Sequence, residues 1–211
     1  MRLHYAPGSA ALAPHATLAE IGAAYELVPV ERDGPDEWSA AYRALNPWGK
    51  VPTLEDGDFV LTESAAICLY LAERFPEAAL LPPAATRERA EVYRWLLWFS
   101  NTVQETHLRH FYPHRYGKQG VKEAADAALA GHYDRIAAHL AGREWVVGER
   151  RTVADLFLFM LTRWGRFLEP AAWDRPSLRT HFLRALELRG PRVAIEEQGL
   201  EQPAFAASDG G

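Results

Sequence analysis

The sequence predicts an α/β domain followed by an all-α domain, and three observations carry that reading. Segments with strand and helix patterning follow one another in the order β-α-β-α-β-β-α through about the first 75 residues, which describes a mixed sheet with helices packed on it. Residues 76–86, PEAALLPPAAT, hold three prolines, which exclude a continuous helix and suit a linker. Beyond them apolar residues recur only at helical spacing. The expected organisation is an α/β domain over residues 1–76, a linker over 77–86 and a helical domain over 87–211.

Residues 2–5, RLHY, read as a short first strand. After a turn of small residues, 10–23 has helical composition and ends at Gly22 and Ala23. Residues 25–30, YELVPV, read as the second strand. Residues 35–45 read as a helix, with Trp38 and Tyr42 four apart on one face. NPWGKVP follows as a loop. Two short strands, 53–55 and 59–61, are joined through EDGD, whose Asp-Gly pair is a strong hairpin signal. Residues 64–75 form the helix after them.

In the second domain Val92, Trp95, Leu96, Phe99 and Val103 recur at helical spacing, as do Val121, Ala125, Leu129, Tyr133, Ile136 and Leu140. The stretch 152–164, TVADLFLFMLTRW, is apolar nearly all round and therefore marks a central buried helix. Thr152 and Asp155 stand where a capping box needs them, a folding signal with no catalytic content. Residues 175–189 supply a further helix. The tail from Gln202, ending ASDGG, is expected to be poorly ordered.

The 23 basic and 28 acidic residues give a formal charge of −5 without a basic block, so neither nucleic acid nor an anionic membrane is an expected partner. The N-terminus lacks signal-peptide architecture and no apolar run approaches the roughly 20 residues of a membrane span, so a cytoplasmic protein is expected. A single cysteine, Cys68, excludes an internal disulfide. It sits among Ala66, Ile67 and Leu69 and reads as a buried small hydrophobe.

Two motifs point to a ligand. In NPWGKVP a cis Val51-Pro52 bond would leave the Val51 N–H and C=O facing outward as an antiparallel edge, able to pair with the backbone of a peptide. In TES, Ser64 and the free N–H groups of a helix start favour a carboxylate, and Glu63 supplies the opposite charge beside it. A carboxylate site next to an ammonium site is what the α-amino-acid end of a ligand requires.

With KVP, TES and the β-α-β-α-β-β-α order together, the chain resembles the cytosolic glutathione transferases, and its GS turn followed by LAPH is most similar to their bacterial beta class. The resemblance spans nearly the whole chain. It implies a thioredoxin-like first domain, Val51 pairing with the cysteinyl backbone of glutathione beside a cis Pro52, and Glu63 and Ser64 holding the γ-glutamyl end. It places Lys50 near the glycyl carboxylate, although an exposed lysine is equally an ordinary solvated side chain. It implies a homodimer, glutathione as co-substrate and no other cofactor or metal.

The chain departs from the beta class at two places. Where that class reads GACS before LAPH, this sequence has Ala10 in place of the cysteine, which excludes mixed-disulfide chemistry at the turn. Along the first long helix of the second domain, Gln104 occupies the class's histidine position and Leu97 its asparagine position, with His107 one turn on. What remains is stabilisation of the ligand's own thiolate. Lowering a thiol pKa by roughly two units needs about 2.7 kcal/mol, and one hydrogen bond to the charged sulfur supplies roughly 1.5 to 3 kcal/mol. Ser9 is the best placed donor, with an ordinary helix cap as its alternative role; Tyr5 competes, with burial in the core as its alternative.

For a second substrate, a small hydrophobic electrophile, Gln104, His107, Phe111 and Trp164 are the candidate wall, and helix-end packing explains the same residues as well. Two functions follow. One is a transferase adding the glutathione thiolate to an electrophile or reducing peroxides. The other is a non-catalytic protein that binds glutathione or a hydrophobic ligand.

Overall fold

The computed structural model describes residues 1–34, 37–117 and 119–207. The described residues divide into two units, one formed by Met1–Ala78 with the chain from Glu187 onward, the other by Ala79–Leu186.

In the first unit β1 (Arg2–Tyr5) leads to α1 (Leu12–Ile21) and β2 (Glu26–Pro29). A two-stranded ribbon, β3 (Arg32–Gly34) and β4 (Glu37–Trp38), precedes α2 (Ala40–Leu45); then come β5 (Thr53–Asp56), β6 (Phe59–Thr62) and α3 (Ser64–Arg74). The sheet order is β2-β1-β5-β6, with β1 parallel to β2 and antiparallel to β5, and β6 antiparallel to β5. It is the mixed sheet expected from the element order, in the thioredoxin-like form that the family resemblance implies. Strand alternation sends Leu3 and Leu54 to one face, where they meet Leu18 of α1 and Ile67 and Leu71 of α3 in a dry core. Arg2, His4 and Glu55 take the other face, joined by hydrogen bonds of 3.0 Å from Arg2 and 2.6 Å from His4 to the Glu55 carboxylate. The hairpin turns on Gly57 with φ 65°, a conformation glycine adopts without a steric cost.

The helix expected over 35–45 begins later. Ser39 caps α2 by accepting the Tyr42 N–H at 3.3 Å, and Trp38 ends a strand instead of opening a helix. The spacing of four still brings Trp38 and Tyr42 into an edge contact, rings 6.3 Å apart. Residues 35 and 36 lie outside the described residues. Cys68 is fully buried, 3.5 Å from the Thr17 hydroxyl, and burial pushes its thiol up to about 12, as befits a core residue.

The second unit holds α4 (Arg87–Trp98), a π-helical segment (Phe99–Gln104), α5 (Glu105–Phe111), α6 (Val121–Leu140), α7 (Val153–Trp164) and α8 (Pro176–Glu187). No strand occurs among its described residues. Every residue of α7 is buried, so it is the central helix. Its capping box is present: Asp155 accepts the Thr152 N–H at 2.7 Å, and the Thr152 hydroxyl accepts the Ala154 N–H at 3.2 Å. The other Asp155 oxygen accepts from the Val146 N–H at 2.8 Å and from His181 of α8 at 3.0 Å. One carboxylate therefore pins the loop before α7 and the helix after it.

Helix α9 (Arg189–Glu197) groups with the first unit, although composition assigns everything after residue 87 to the helical domain. The reason is local. A Cβ at Gly190 would lie well inside contact distance of the Ala16 carbonyl, so only glycine lets α9 close on α1, and the Gly190 N–H then donates to Glu20 at 2.8 Å. A last short helix, α10 (Ala204–Ala207), lies within the tail expected to lack order; 208–211 lie outside the described residues. No helix among the described residues is long and apolar enough to cross a membrane.

Candidate active site

Strand register brings three sequence motifs to one end of the first unit's sheet. His4 pairs with Thr53, and Thr53 with Thr62. The turn after β1, the Val51-Pro52 step before β5 and the start of α3 after β6 therefore share that end. The Val51-Pro52 peptide is cis.

In the turn, the Ser9 N–H donates to the Ala6 carbonyl at 3.2 Å, and the Leu12 N–H to the Ser9 carbonyl at 3.0 Å. The Ser9 hydroxyl oxygen accepts the Ala11 N–H at 3.2 Å. Ser9 is not the formal N-cap, which is Ala11, a residue with no side-chain oxygen to offer. Its hydroxyl proton has no acceptor among the described residues and remains available to donate. Tyr5 ends β1 half-buried on the Leu3 face, its hydroxyl likewise without a hydrogen bond among the described residues.

The turn is held from behind by His15, which is fully buried. Gln198 accepts the Gly8 N–H at 2.9 Å through its carbonyl oxygen, so its amide nitrogen must be the atom 2.9 Å from His15 Nδ1. His15 Nδ1 is thus an acceptor and Nε2 carries the proton, donated to Glu197 at 2.9 Å, where the Tyr25 hydroxyl also donates at 2.8 Å. Burial lowers the His15 pKa against the opposing pull of Glu197, which keeps the ring neutral. Sequence reasoning missed this hub because His15 and Gln198 are 183 residues apart.

At the helix start, Glu63 is exposed and adopts φ 69°, ψ 113°, a region that non-glycine residues rarely occupy. Its carbonyl accepts the Ile67 N–H at 2.9 Å, so α3 begins with its first-turn N–H groups free of any side-chain cap. Ser64 is buried, and its hydroxyl makes no hydrogen bond within the described chain. Unspent N–H groups, a hydroxyl and the positive helix end together fit a carboxylate. Neither the N–H nor the C=O of half-buried Val51 is paired with another backbone group among the described residues. The Lys50 side chain is exposed and forms no ion pair among the described residues.

In the helical unit, His107, Phe111 and Trp164 come together: the His107 ring lies 5.6 Å from Phe111 and 5.7 Å from Trp164, which are themselves 5.7 Å apart. His107 is fully buried and serves the core beneath that cluster. The Tyr133 hydroxyl donates its proton to the Leu161 carbonyl, so His107 Nε2 must donate to Tyr133, at 2.7 Å. Burial pushes the His107 pKa down to about 3, with the neighbouring His110 and His132 adding to it. Gln104 closes the π-helical segment, half-buried, its carbonyl oxygen enclosed without a hydrogen-bond partner among the described residues. Phe111 is half-buried and touches the exposed Phe167, 5.8 Å ring to ring.

Residues 1–73 match the family described as glutathione S-transferase, N-terminal domain, and residues 99–188 the one described as glutathione S-transferase, C-terminal domain. Glutathione S-transferase GST-4.5 of Xanthomonas campestris pv. campestris is 32% identical over 205 residues, spanning 95% of this chain and 100% of that protein. The chain belongs to the glutathione S-transferase family. Glutathione S-transferase GstA of Escherichia coli O157:H7 is 34% identical over 209 residues, again 95% of this chain and 100% of the relative. Among solved structures, a beta-class glutathione S-transferase from Sphingomonas chungbukensis superposes with a TM-score of 0.86 at 31% identity, covering 95% of this chain and 100% of that one. A sphingomonad glutathione S-transferase complexed with glutathione does so with a TM-score of 0.86 at 28% identity, over 95% and 100% of the two chains. This glutathione S-transferase is similar to the bacterial beta class and carries alanine at position 10 and glutamine at 104.

Proposed function

We propose that this enzyme binds glutathione in its first unit and activates the thiol through the Ser9 hydroxyl, transferring the thiolate to a small hydrophobic electrophile or spending it on a peroxide. The observation that carries the reading is the state of Ser9. Its oxygen already accepts the Ala11 N–H, which polarises the hydroxyl, while its proton has no acceptor among the described residues. A thiolate beside it would complete that hydrogen bond. Val51 would pair with the cysteinyl backbone, Ser64 and the α3 start would take the γ-glutamyl carboxylate, Glu63 its ammonium, and Lys50 the glycyl carboxylate. Tyr5 is the second candidate for the sulfur.

Glutathione soaked into crystals tests the assignment directly: Ser9 Oγ within hydrogen-bond distance of the sulfur is the expected result, and Tyr5 in that place would overturn it. The partly exposed aromatic edge formed by Phe111 and Phe167 supports an apolar second substrate. A homodimer is supported by exposed apolar side chains, Phe59 and Val60 on β6 and Leu97 on α4, and a solution mass equal to one chain would refute it.

Ala10 and Gln104 favour a second reading, a glutathione-binding protein without efficient chemistry, because both stand where the beta class carries reactive side chains. Thiolate ultraviolet absorbance on saturation with glutathione at neutral pH would count against it.

A further inference from the structure

Behind the Lys50–Val51 peptide lie three buried side chains whose hydrogen-bonding protons can all be assigned. Tyr42, Asn46 and Thr53 are 5%, 1% and 0% exposed. The Tyr42 hydroxyl donates to the Lys50 carbonyl at 2.8 Å, and Asn46 Nδ2 donates to the same oxygen at 2.6 Å, so both of its lone pairs are taken. The second Asn46 amide proton reaches Thr53 Oγ1 at 3.1 Å. The Tyr42 proton is already committed, so Thr53 is the donor in their 2.8 Å contact. Asn46 Oδ1 accepts the Trp48 N–H at 3.1 Å, which fixes the amide orientation, since a backbone N–H and a backbone C=O cannot exchange roles.

The sequence explains why Asn46 can reach the loop. Pro47 excludes helical geometry at the residue before it, so α2 stops and Asn46 is extended, φ −127°, ψ 95°. Tyr42, one helical turn earlier, lies on the same face.

The consequence follows from peptide geometry. The Lys50–Val51 peptide is trans, so its C=O and N–H point in opposite directions. A carbonyl gripped from inside the domain turns the Val51 N–H the other way, where no backbone group meets it. Trp48 is 80% exposed and the Lys50 side chain is exposed, so neither anchors the loop by burial. We propose that Asn46 and Tyr42 are positioning residues for glutathione, holding the Lys50 carbonyl so that the Val51 N–H is set in advance for the ligand's cysteinyl carbonyl. This rests on the reading of Val51 given above. The gain is preorganisation: the loop is ordered before the ligand arrives, so binding does not bear that entropy.

The test uses full-length protein and two near-isosteric variants. Asn46→Asp places a carboxylate oxygen against the Lys50 carbonyl; Tyr42→Phe deletes one of its two donors. Glutathione affinity is measured by calorimetry, and KM and kcat with an aryl-halide electrophile, all well below each variant's melting temperature. Loss of one buried hydrogen bond predicts glutathione binding weakened about fivefold in Tyr42→Phe and about tenfold or more in Asn46→Asp. The KM for glutathione should rise in step, while kcat at saturating glutathione falls less than about twofold, a split that general destabilisation would not produce. Should Asn46→Asp fail to fold, Tyr42→Phe decides alone. Folded variants with wild-type glutathione affinity overturn the proposal and leave the functional reading standing. Wild-type protein that binds no glutathione overturns the functional reading, and this proposal with it, before any variant is compared.

Discussion

Replacing Ser9 by alanine removes the only side-chain donor in the turn between β1 and α1, and the structure separates its two effects. The first is structural. The Ala11 N–H loses the acceptor it has at 3.2 Å, a neutral hydrogen bond contributing about 1 kcal/mol, less where water takes the place of the half-buried Ser9 hydroxyl. The second is chemical. A hydrogen bond to a charged sulfur contributes roughly 1.5 to 3 kcal/mol, and at 1.36 kcal/mol per unit its loss raises the bound thiol's pKa by about one to two units. If Ser9 supplies most of a shift from about 8.5 to about 6.5, the variant's bound thiol returns to about 7.5 or above. The thiolate fraction at pH 6 then drops about eightfold or more, and the deficit closes as pH rises past the new pKa. Ultraviolet absorbance of bound glutathione, titrated with pH, reads that pKa directly, and kcat/KM over the same range should follow it. Glutathione affinity should stay within a few fold, because Val51 and Ser64 are untouched. Ser9→Thr, which keeps a hydroxyl, should restore most of the shift. A thiolate titration in Ser9→Ala that overlies the wild type would refute the assignment and pass the role to Tyr5.

Three further outcomes are expected. Glu63→Gly should raise the melting temperature, because φ 69° on a non-glycine residue costs about 1 to 3 kcal/mol, yet weaken glutathione binding by removing the carboxylate; calorimetry and thermal melts showing both changes in one direction would contradict it. His107, with its pKa pushed down to about 3, is neutral in the fold and takes up a proton only on unfolding once pH falls below about 6.5, so its contribution is complete above that pH and erodes toward 3. His107→Gln cannot take up that proton, and between pH 7 and pH 5 the wild type should lose about 2 kcal/mol more than the variant in urea titrations. Gln198→Ala leaves His15 Nδ1 buried without its donor and should cost about 1 to 3 kcal/mol in the same assay, a cost that Gln198→Glu should not repair, since an ionised carboxylate has no proton to give.

What could be read from the sequence divides along the range of the interactions involved. The hairpin at Gly57, the capping box at Thr152 and Asp155 and the helix start at Ser64 are decided by residues a few positions apart, and the fold places each where the residues indicate. The errors have physical causes of two kinds. Trp38 and Tyr42 share a helical spacing, but a spacing of four says nothing about where a helix begins, and the Ser39 cap settles that point. Along the helix carrying Gln104 and His107, the periodic set from Val92 to Val103 is buried as its spacing indicates, even though Phe99–Gln104 is π-helical. His107 lies inside, bonded to Tyr133, which is the packing role the sequence left open beside its place in the candidate wall. The groups that support the candidate site were out of reach for another reason. His15 needs Gln198 and Glu197 from the far end of the chain, brought in by an α9 whose approach depends on one glycine; the Lys50 carbonyl needs the Tyr42 and Asn46 side chains as donors, and a backbone acceptor leaves no mark of its own in the sequence. Asn46-Pro47 was a local sign of the latter, since an asparagine forced out of helix by the following proline is free to bond its own loop. Motifs thus mark the groups that would touch a ligand, whereas the groups that hold those in place are bonded to backbone atoms or across long separations, where only coordinates show them.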